Sequence, residues 1–219
     1  MDDAPGPSGP AAPLLIACAL GIEQLALRSG RGKADGAPGQ VTVLRTGMGP
    51  KAAETAVAHA LGQDRALGAA VIASGFCAGL APGMHPGDLV VADETREAGD
   101  STACTGAGLL AEALARTVPG RTVHIGPLTG SGHVVRGHER AELRATGAIA
   151  VDMESAATLR TALRTGARPV AAVRVVVDAP EHELVRIGTV RGGISAFRVL
   201  RAVLPAFYEW HRSLLLPRR

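Results

Sequence analysis

Two segments of the chain place charged side chains at the end of an apolar run. Residues 151–157 predict a buried strand that ends in two carboxylates and turns directly into a helix. Residues 173–178 form a second apolar run, which contains Arg174 and ends at Asp178. Ligands bind beyond the carboxyl ends of strands in open α/β sheets, so acidic groups there are well placed for chemistry. One such carboxylate could be only a helix cap or a first-turn charge, but the pair favours an acid–base site.

Two glycine-rich turns follow predicted strands and add backbone amides to the same region. Residues 46–49 (Thr-Gly-Met-Gly) lie between a strand and a helix, and residues 74–80 follow the next strand. Glycine lets the backbone approach an anion or a sugar closely at a helix start. Neither turn matches a Walker loop or a complete GxGxxG motif, which argues against nucleoside triphosphates and NAD as ligands.

The elements that must position these residues alternate along the chain, which predicts a single layered α/β domain over residues 13–219 after a disordered tail at 1–12. The Gly-rich stretch 29–40 is expected to be a surface loop that joins two strands. Strands are predicted at 14–19, 41–45, 70–74, 88–92, 122–125, 149–152 and 170–177, and helices at 50–61, 108–117, 138–146, 154–165 and 190–215.

Composition excludes several classes of function. The formal charge of +3 is unevenly distributed, because residues 189–219 hold six arginines and one glutamate. Nucleic-acid binding is disfavoured because only 2% of the residues are aromatic. The three cysteines, which include Cys77, form no CxxC pair, so neither a zinc ribbon nor a disulfide framework is expected. With no secretory signal and no membrane-spanning run, a cytoplasmic protein is predicted.

The predicted last helix, 190–215, contains most of the aromatic residues, including Phe207 and Trp210. Its apolar positions follow helical spacing, so the favoured interpretation is a terminal helix docked on the sheet. The other interpretation is that its aromatic and arginine-rich rim touches an anionic membrane. Pro205 is expected to kink the helix.

These motifs together resemble the nucleoside phosphorylase and nucleosidase superfamily, particularly the methylthioadenosine/S-adenosylhomocysteine nucleosidases. The resemblance implies a three-layer α/β/α domain with a central mixed, partly closed sheet, no cofactor or metal, and a homodimer or other homo-oligomer. The Gly-Phe-Cys turn and the short chain look most like the hopanoid-biosynthesis enzyme that removes adenine from adenosylhopane. The resemblance spans residues 13–205 and rests on the segments 46–49, 74–80, 86–91, 151–157 and 173–178.

The resemblance also implies roles for individual residues. Asp178 would act as the acid at the purine, a task that calls for a carboxyl group kept protonated by burial, and Glu23 would activate water. Glu154 would accept hydrogen bonds from the ribose and Met153 would pack beneath it, although Glu154 could be only a first-turn carboxylate. Arg174 would steady the site, as a ligand contact or a purely structural ion pair. Further substrate contacts are expected at Gly47, Met48, Phe76, Cys77 and Val135.

The attacking group separates hydrolysis from phosphorolysis. Many phosphorylases of this superfamily carry an arginine before the second glycine turn, where this chain has Ala73 and Ser74, so hydrolysis is favoured. Arg45 could still reach an anion, which keeps phosphorolysis open. Phe76 stands where the nucleosidases have a small hydroxyl residue. Residues 133–135 lie where relatives stack an aromatic ring on the purine, and only His133 could do so here. A non-catalytic nucleoside-binding module therefore also stays open. The short segment 94–109 suggests room for a bulky apolar 5′ group.

Overall fold

The computed structural model describes residues 12–31, 39–179 and 188–215, with the backbone alone at 188–194 and 215. The predicted tail, apart from residue 12, and the middle of the predicted loop 29–40 lie outside the described residues. The strands are β1 Leu14–Cys18, β2 Val41–Arg45, β3 Ala70–Gly79, β4 Leu89–Glu97, β5 Asp100–Ala103, β6 Val123–Gly130, β7 Ala150–Asp152 and β8 Val170–Asp178. The helices are α1 Gly21–Arg31, α2 Pro50–Leu61, α3 Ala107–Thr117, α4 His138–Ala145, α5 Ser155–Arg164, α6 Gly188–Ala202 and α7 Leu204–Leu215.

Two helix layers cover the sheet because its strands are apolar on both faces. Successive side chains of a strand point to opposite faces, and β1 follows this rule. Leu14 and Ile16 pack in a core with α1, α3, α6 and α7, whereas Leu15 and Ala17 pack in a second core with α2 and α5. The three-layer arrangement predicted from the sequence is confirmed.

The sheet is mixed, and part of it is closed into a ring. Its order is β2-β1-β3-β7-β6-β4-β5, and β8 pairs with both β3 and β4, so that five strands form a closed ring. Parallel pairing of β3 with β8 sets Gly75 opposite Arg174. Antiparallel pairing of β3 with β7 sets Ala78 opposite Val151. The carboxyl ends of β3 and β8 therefore meet β7 and the start of α5.

The structure contains a helix, α1, and an edge strand, β5, that the sequence analysis did not predict. The predicted glycine turn at 74–80 is wrong, because β3 continues through these residues to Gly79. It also divides the predicted helix 190–215 into α6 and α7 at Val203. Pro205 accounts for the break, since a proline ring clashes with the carbonyl group four residues earlier, here that of Arg201. Gly30 of α1 packs against this carbonyl, and a Cβ at Gly30 would collide with it.

The aromatic residues of the C-terminal region belong to the core. Phe207, Tyr208 and Trp210 are at most 1% exposed, and the indole nitrogen of Trp210 donates to the carbonyl oxygen of Thr105 at 2.8 Å. The docked interpretation is confirmed, and the expectation that Phe207 and Trp210 touch a membrane is wrong, because neither side chain reaches the surface. Within the described ranges, no helix is long and apolar enough to cross a bilayer.

Candidate active site

A cavity of about 230 Å³ opens where β3, β7 and β8 end. It collects most of the side chains that the sequence singled out. Arg174 and Gly47 do not line it. The predicted residues that line the cavity are Glu23, Met48, Phe76, Cys77, Val135, Met153, Glu154 and Asp178.

Glu23 is fixed at the cavity by backbone groups. It lies in the first turn of α1 and is 2% exposed. Its Oε2 accepts hydrogen bonds from the N–H groups of Ala19 at 2.9 Å and Leu20 at 2.8 Å. Its Oε1 accepts one from Phe76 at 2.7 Å. A carboxylate has about four acceptor positions, so Oε1 can accept one more hydrogen bond.

Gly75 allows a close approach between Glu23 and Arg174. Its φ is +154°, and a Cβ there would lie 2.6 Å from Nη1 of Arg174 and closer still to Oε1 of Glu23. Both distances are below those that Cβ atoms adopt. The glycine is therefore required by the packing of two charged side chains as well as by its backbone conformation.

Arg174 is anchored behind the cavity by a buried network. Its side chain is 1% exposed, its Nη2 lies 2.6 Å from Oδ2 of Asp152, and its Nε donates to Oγ of Ser155 at 2.8 Å. The Ser155 hydroxyl in turn donates to Asp152 at 2.6 Å. Nη1 has no hydrogen-bond partner within the described part of the chain. Asp152 is thus the structural carboxylate of its segment, because it neutralises Arg174.

Glu154 comes directly before α5 and faces the cavity. Burial raises the pKa of its carboxyl group, while nearby Arg174 and the N–H of Gly49 act in the opposite direction. The Gly49 N–H donates to Oε1 of Glu154 at 2.8 Å. The expectation that this glycine turn leaves its amides free for an anion is therefore wrong at Gly49. The turn, in which Gly47 and Gly49 both have φ of +87°, holds Glu154 instead.

Asp178 is paired with Arg140, a residue that the sequence analysis missed. Nη2 of Arg140, from α4, donates to Oδ2 of Asp178, and the two side chains are 9% and 15% exposed. Asp178 therefore has a positively charged partner at the cavity wall. Its role as the acid at the purine stays a prediction. Arg140 lies in a helix rich in charged residues, where spacing alone does not distinguish a buried arginine from an exposed one.

The remaining wall is mainly apolar. Burial raises the pKa of Cys77 far above its ordinary value, so it is a neutral thiol in the wall. Met48 and Val134 are 64% and 61% exposed and also line the cavity, which places them at its rim. His133 is the residue that the sequence analysis named for stacking on the purine, and its Nε2 lies 3.0 Å from Oε1 of Glu139. Among the described residues, no group of three or more His, Cys, Asp or Glu side chains could hold a metal ion.

A mixed sheet closed through five strands, covered by helices on both faces, defines the nucleoside phosphorylase-like fold. The family profile described as Phosphorylase superfamily matches residues 31–205. The chain belongs to this family. A comparison with curated proteins finds no match.

Solved structures of methylthioadenosine/S-adenosylhomocysteine nucleosidases share the fold. The enzyme from Neisseria meningitidis, in complex with methylthio-immucillin-A, is 21% identical, with a TM-score of 0.70 over 89% of this chain and 99% of the other. The Colwellia psychrerythraea enzyme, with adenine, is 18% identical, with a TM-score of 0.72 over 93% and 96%. The Streptococcus pyogenes S-adenosylhomocysteine nucleosidase is 20% identical, with a TM-score of 0.74 over 96% and 100%.

Proposed function

We propose that this protein is a purine nucleosidase that hydrolyses the N-glycosidic bond of a 5′-modified adenosine and releases adenine. The observation that carries the proposal is the carboxylate of Glu23, which three backbone N–H groups hold beside the cavity with an acceptor position to spare. A carboxylate fixed in this way is suited to take a proton from an attacking water. Glu154 and Asp178 line the same cavity, as sites for the sugar and the purine.

In the proposed reaction the bond between C1′ of the ribose and N9 of the purine breaks. Positive charge then builds on the ribose and negative charge on the departing base. Glu154 accepts hydrogen bonds from the ribose hydroxyls, Met153 packs beneath the sugar, and Asp178 contacts the purine. Water attacks C1′ and gives its proton to Glu23, and the departing purine takes up a proton from Asp178, the proposed acid.

The placement of the arginines supports water rather than phosphate as the attacking group. Among the described residues, Arg140 is the one arginine that lines the cavity, and Asp178 already holds it. Arg174 is held by Asp152, and Arg45 is exposed at the end of β2 and does not line the cavity. A phosphate dianion would need cations that are free to bind it.

The size of the cavity limits where a large 5′ group of the substrate could lie. Its volume of about 230 Å³ is below the roughly 300–1,000 Å³ of pockets that enclose drug-sized ligands. A long apolar 5′ group would therefore extend beyond the rim of the cavity, where Met48 and Val134 expose apolar side chains. We propose adenosylhopane as the substrate, with ribosylhopane as the second product.

The proposal includes a homodimer that works in the cytoplasm and meets its lipid substrate at a membrane surface. Ile22 and Leu25, on the helix that carries Glu23, are 48% and 57% exposed. Self-association or contact with lipid would cover these side chains. Sedimentation equilibrium gives the oligomeric state, and flotation with liposomes for the wild type and Leu25→Ser tests the membrane contact. A monomer would contradict the proposed homodimer. A wild-type protein that does not float with liposomes would contradict the proposed membrane contact.

The decisive experiment measures adenine release from adenosines whose 5′ groups range from hydroxyl through methylthio to long alkyl chains. Each substrate is tested with and without phosphate. A nucleosidase releases adenine and free ribose derivative in both buffers, and the preference for long chains tests the lipid substrate. Release that requires phosphate would establish a phosphorylase. Binding with return of the intact nucleoside would establish a non-catalytic module.

Two variants connect the activity to the site. Glu23→Gln and Asp178→Asn keep the shape of each side chain and remove its charge, and both should lower kcat by about 100-fold or more. Asp64→Asn, at an exposed position, is the matched control and should retain wild-type activity. Wild-type rates in Glu23→Gln would exclude Glu23 as the base.

A further inference from the structure

A second cavity, of about 370 Å³, lies where the carboxyl ends of α1, α3 and α6 meet. Its lining comes from these helices and from the start of α7, and consists of Gly30, Thr117, Arg198, Arg201, Ala202 and Pro205. Gly30 allows α1 and α6 to approach closely, because a Cβ there would collide with the carbonyl oxygen of Arg201. Within the described part of the chain, the only charged side chains in this lining are arginines.

Four arginines from two helices gather at this cavity. Arg198 and Arg201 are three residues apart on α6 and therefore lie on the same face of the helix. Arg28 and Arg31 lie in the last turn of α1, and Arg31 forms a hydrogen bond with the hydroxyl of Tyr208. Among the residues that the structure describes, none of the four arginines pairs with a carboxylate. Their positive charges are therefore not balanced by acidic side chains.

The helix ends explain how these arginines can gather, but they do not neutralise them. The carboxyl end of a helix attracts cations because it carries about half a negative charge. Three such ends supply less negative charge than four arginines supply positive charge. The hydroxyl of Thr117 donates to the carbonyl oxygen of Ala113 at 2.8 Å, so the side-chain donors left in the lining are guanidinium N–H groups. The cavity is thus suited to an anion that accepts hydrogen bonds.

The shape and chemistry of the lining favour a phosphate ester. The planar fork of an arginine matches the oxygens of a phosphate group, and two arginines on one helix face can share its charge. The volume of about 370 Å³ falls within the roughly 300–1,000 Å³ of pockets that hold small organic ligands. Ala202 and Pro205 provide apolar wall for the carbon part of such a ligand.

We propose that Arg198 and Arg201 bind the phosphate group of a phosphate ester in this cavity, carried by a soluble metabolite or by an anionic lipid headgroup. The site is separate from the candidate active site, because Gly30 lies seven residues, or about 10 Å along the axis of α1, from Glu23. The bound phosphate therefore takes no part in cleavage of the nucleoside. This inference goes beyond the proposed function and does not depend on it.

The test uses two probes, glycerol 3-phosphate in solution and vesicles that contain phosphatidylglycerol. Titration calorimetry gives the Kd of glycerol 3-phosphate, and flotation gives the affinity for the vesicles. Both are measured for the wild type and for the double variant Arg198→Gln/Arg201→Gln. The matched control, Arg144→Gln/Arg164→Gln, removes two exposed arginines from the last turns of α4 and α5.

The wild type should bind at least one probe. Loss of the two guanidinium groups should weaken that binding about 10- to 100-fold, and the control should keep the wild-type affinity. Binding of glycerol 3-phosphate would identify a soluble ester as a ligand, whereas binding of the vesicles alone would identify a lipid headgroup. The inference is overturned if the wild type binds neither probe, if Arg198→Gln/Arg201→Gln keeps its affinity, or if the control loses as much.

Adenine release separates this inference from the proposed function. Both double variants should release adenine at the wild-type rate, because neither changes a residue of the candidate active site. The same assay shows that the variants are folded. Absence of adenine release from the wild type would contradict the proposed function and leave the phosphate site standing.

Discussion

Replacement of Gly75 by alanine tests whether the geometry between Glu23 and Arg174 controls the reaction. The new Cβ would lie 2.6 Å from Nη1 of Arg174 and closer to Oε1 of Glu23, whereas Cβ atoms keep at least about 3.0 Å from such neighbours. Both side chains are buried and anchored, so at least one must retreat by roughly half an ångström or more. The φ of +154° adds backbone strain for any residue with a Cβ.

The expected effect on catalysis follows from the displacement of Glu23, the proposed catalytic base. A misplacement of about 1 Å costs roughly 100-fold in rate, so kcat for adenine release should fall about 10- to 100-fold in Gly75→Ala. The Kd of adenine should change less than threefold, because Glu23 is proposed to contact the attacking water and Asp178 is proposed to contact adenine. Steady-state kinetics with a 5′-alkyl adenosine and calorimetry with adenine measure the two quantities.

Gly120→Ala separates crowding from backbone strain. Gly120 also has a positive φ, of +80°, but a Cβ there would have no neighbour within 4 Å. Both variants should lose about 1 kcal/mol or more in free energy of unfolding, and only Gly75→Ala should lose activity. Wild-type kcat in folded Gly75→Ala, or an equal loss in Gly120→Ala, would refute the reasoning.

Three further predictions concern buried polar groups. Glu154→Gln should lower kcat/KM about 10- to 100-fold by weakening the ribose contacts, yet raise the free energy of unfolding at pH 7. Burial raises the pKa of Glu154, so the folded state binds a proton more tightly than the unfolded chain does. The contribution of this proton to stability is lost as the pH rises above 4.5, the ordinary pKa of a glutamate. A variant less stable than the wild type at pH 7 would contradict this. Ser155→Ala should cost about 1–3 kcal/mol in urea unfolding, because Nε of Arg174 loses its acceptor; a change below about 0.5 kcal/mol would count against it. Burial lowers the pKa of His211 from 6.5, so the unfolded chain takes up the proton first and wild-type stability falls as the pH drops below 6.5. His211→Leu should flatten this part of the curve in unfolding measured between pH 5 and 8, and an unchanged slope would exclude His211 as its source.

Much of the candidate site could be predicted because it lies where local motifs end. Glu154 and Asp178 each follow an apolar strand, and strand ends in α/β sheets converge on one edge. The role of Glu23 was predicted from the resemblance, although the helix that carries it was not predicted. Residues 21–31 include Ser29 and Gly30, which lower helix propensity, whereas tertiary packing of Ala26 and Leu27 stabilises α1.

Other features depend on contacts that no local pattern encodes. The spacing of apolar residues correctly predicted that the C-terminal helices pack on the sheet. The membrane interpretation failed because it treated Phe207 and Trp210 as part of an exposed rim, although both are buried. Arg140 was missed for the opposite reason, because its neighbours in α4 are charged and its burial depends on the distant strand β8.

The arginines divide the acidic groups of the site into two kinds. Arg174 neutralises Asp152 and Arg140 neutralises Asp178, whereas Glu23 and Glu154 form no ion pair within the described residues and are held by backbone N–H groups. A carboxylate tied to a guanidinium has its charge matched by another side chain. A carboxylate oriented by backbone amides keeps its geometry and retains an acceptor position for a water. The resemblance assigned Glu23 to the water, and the backbone contacts of its carboxylate support this proposal.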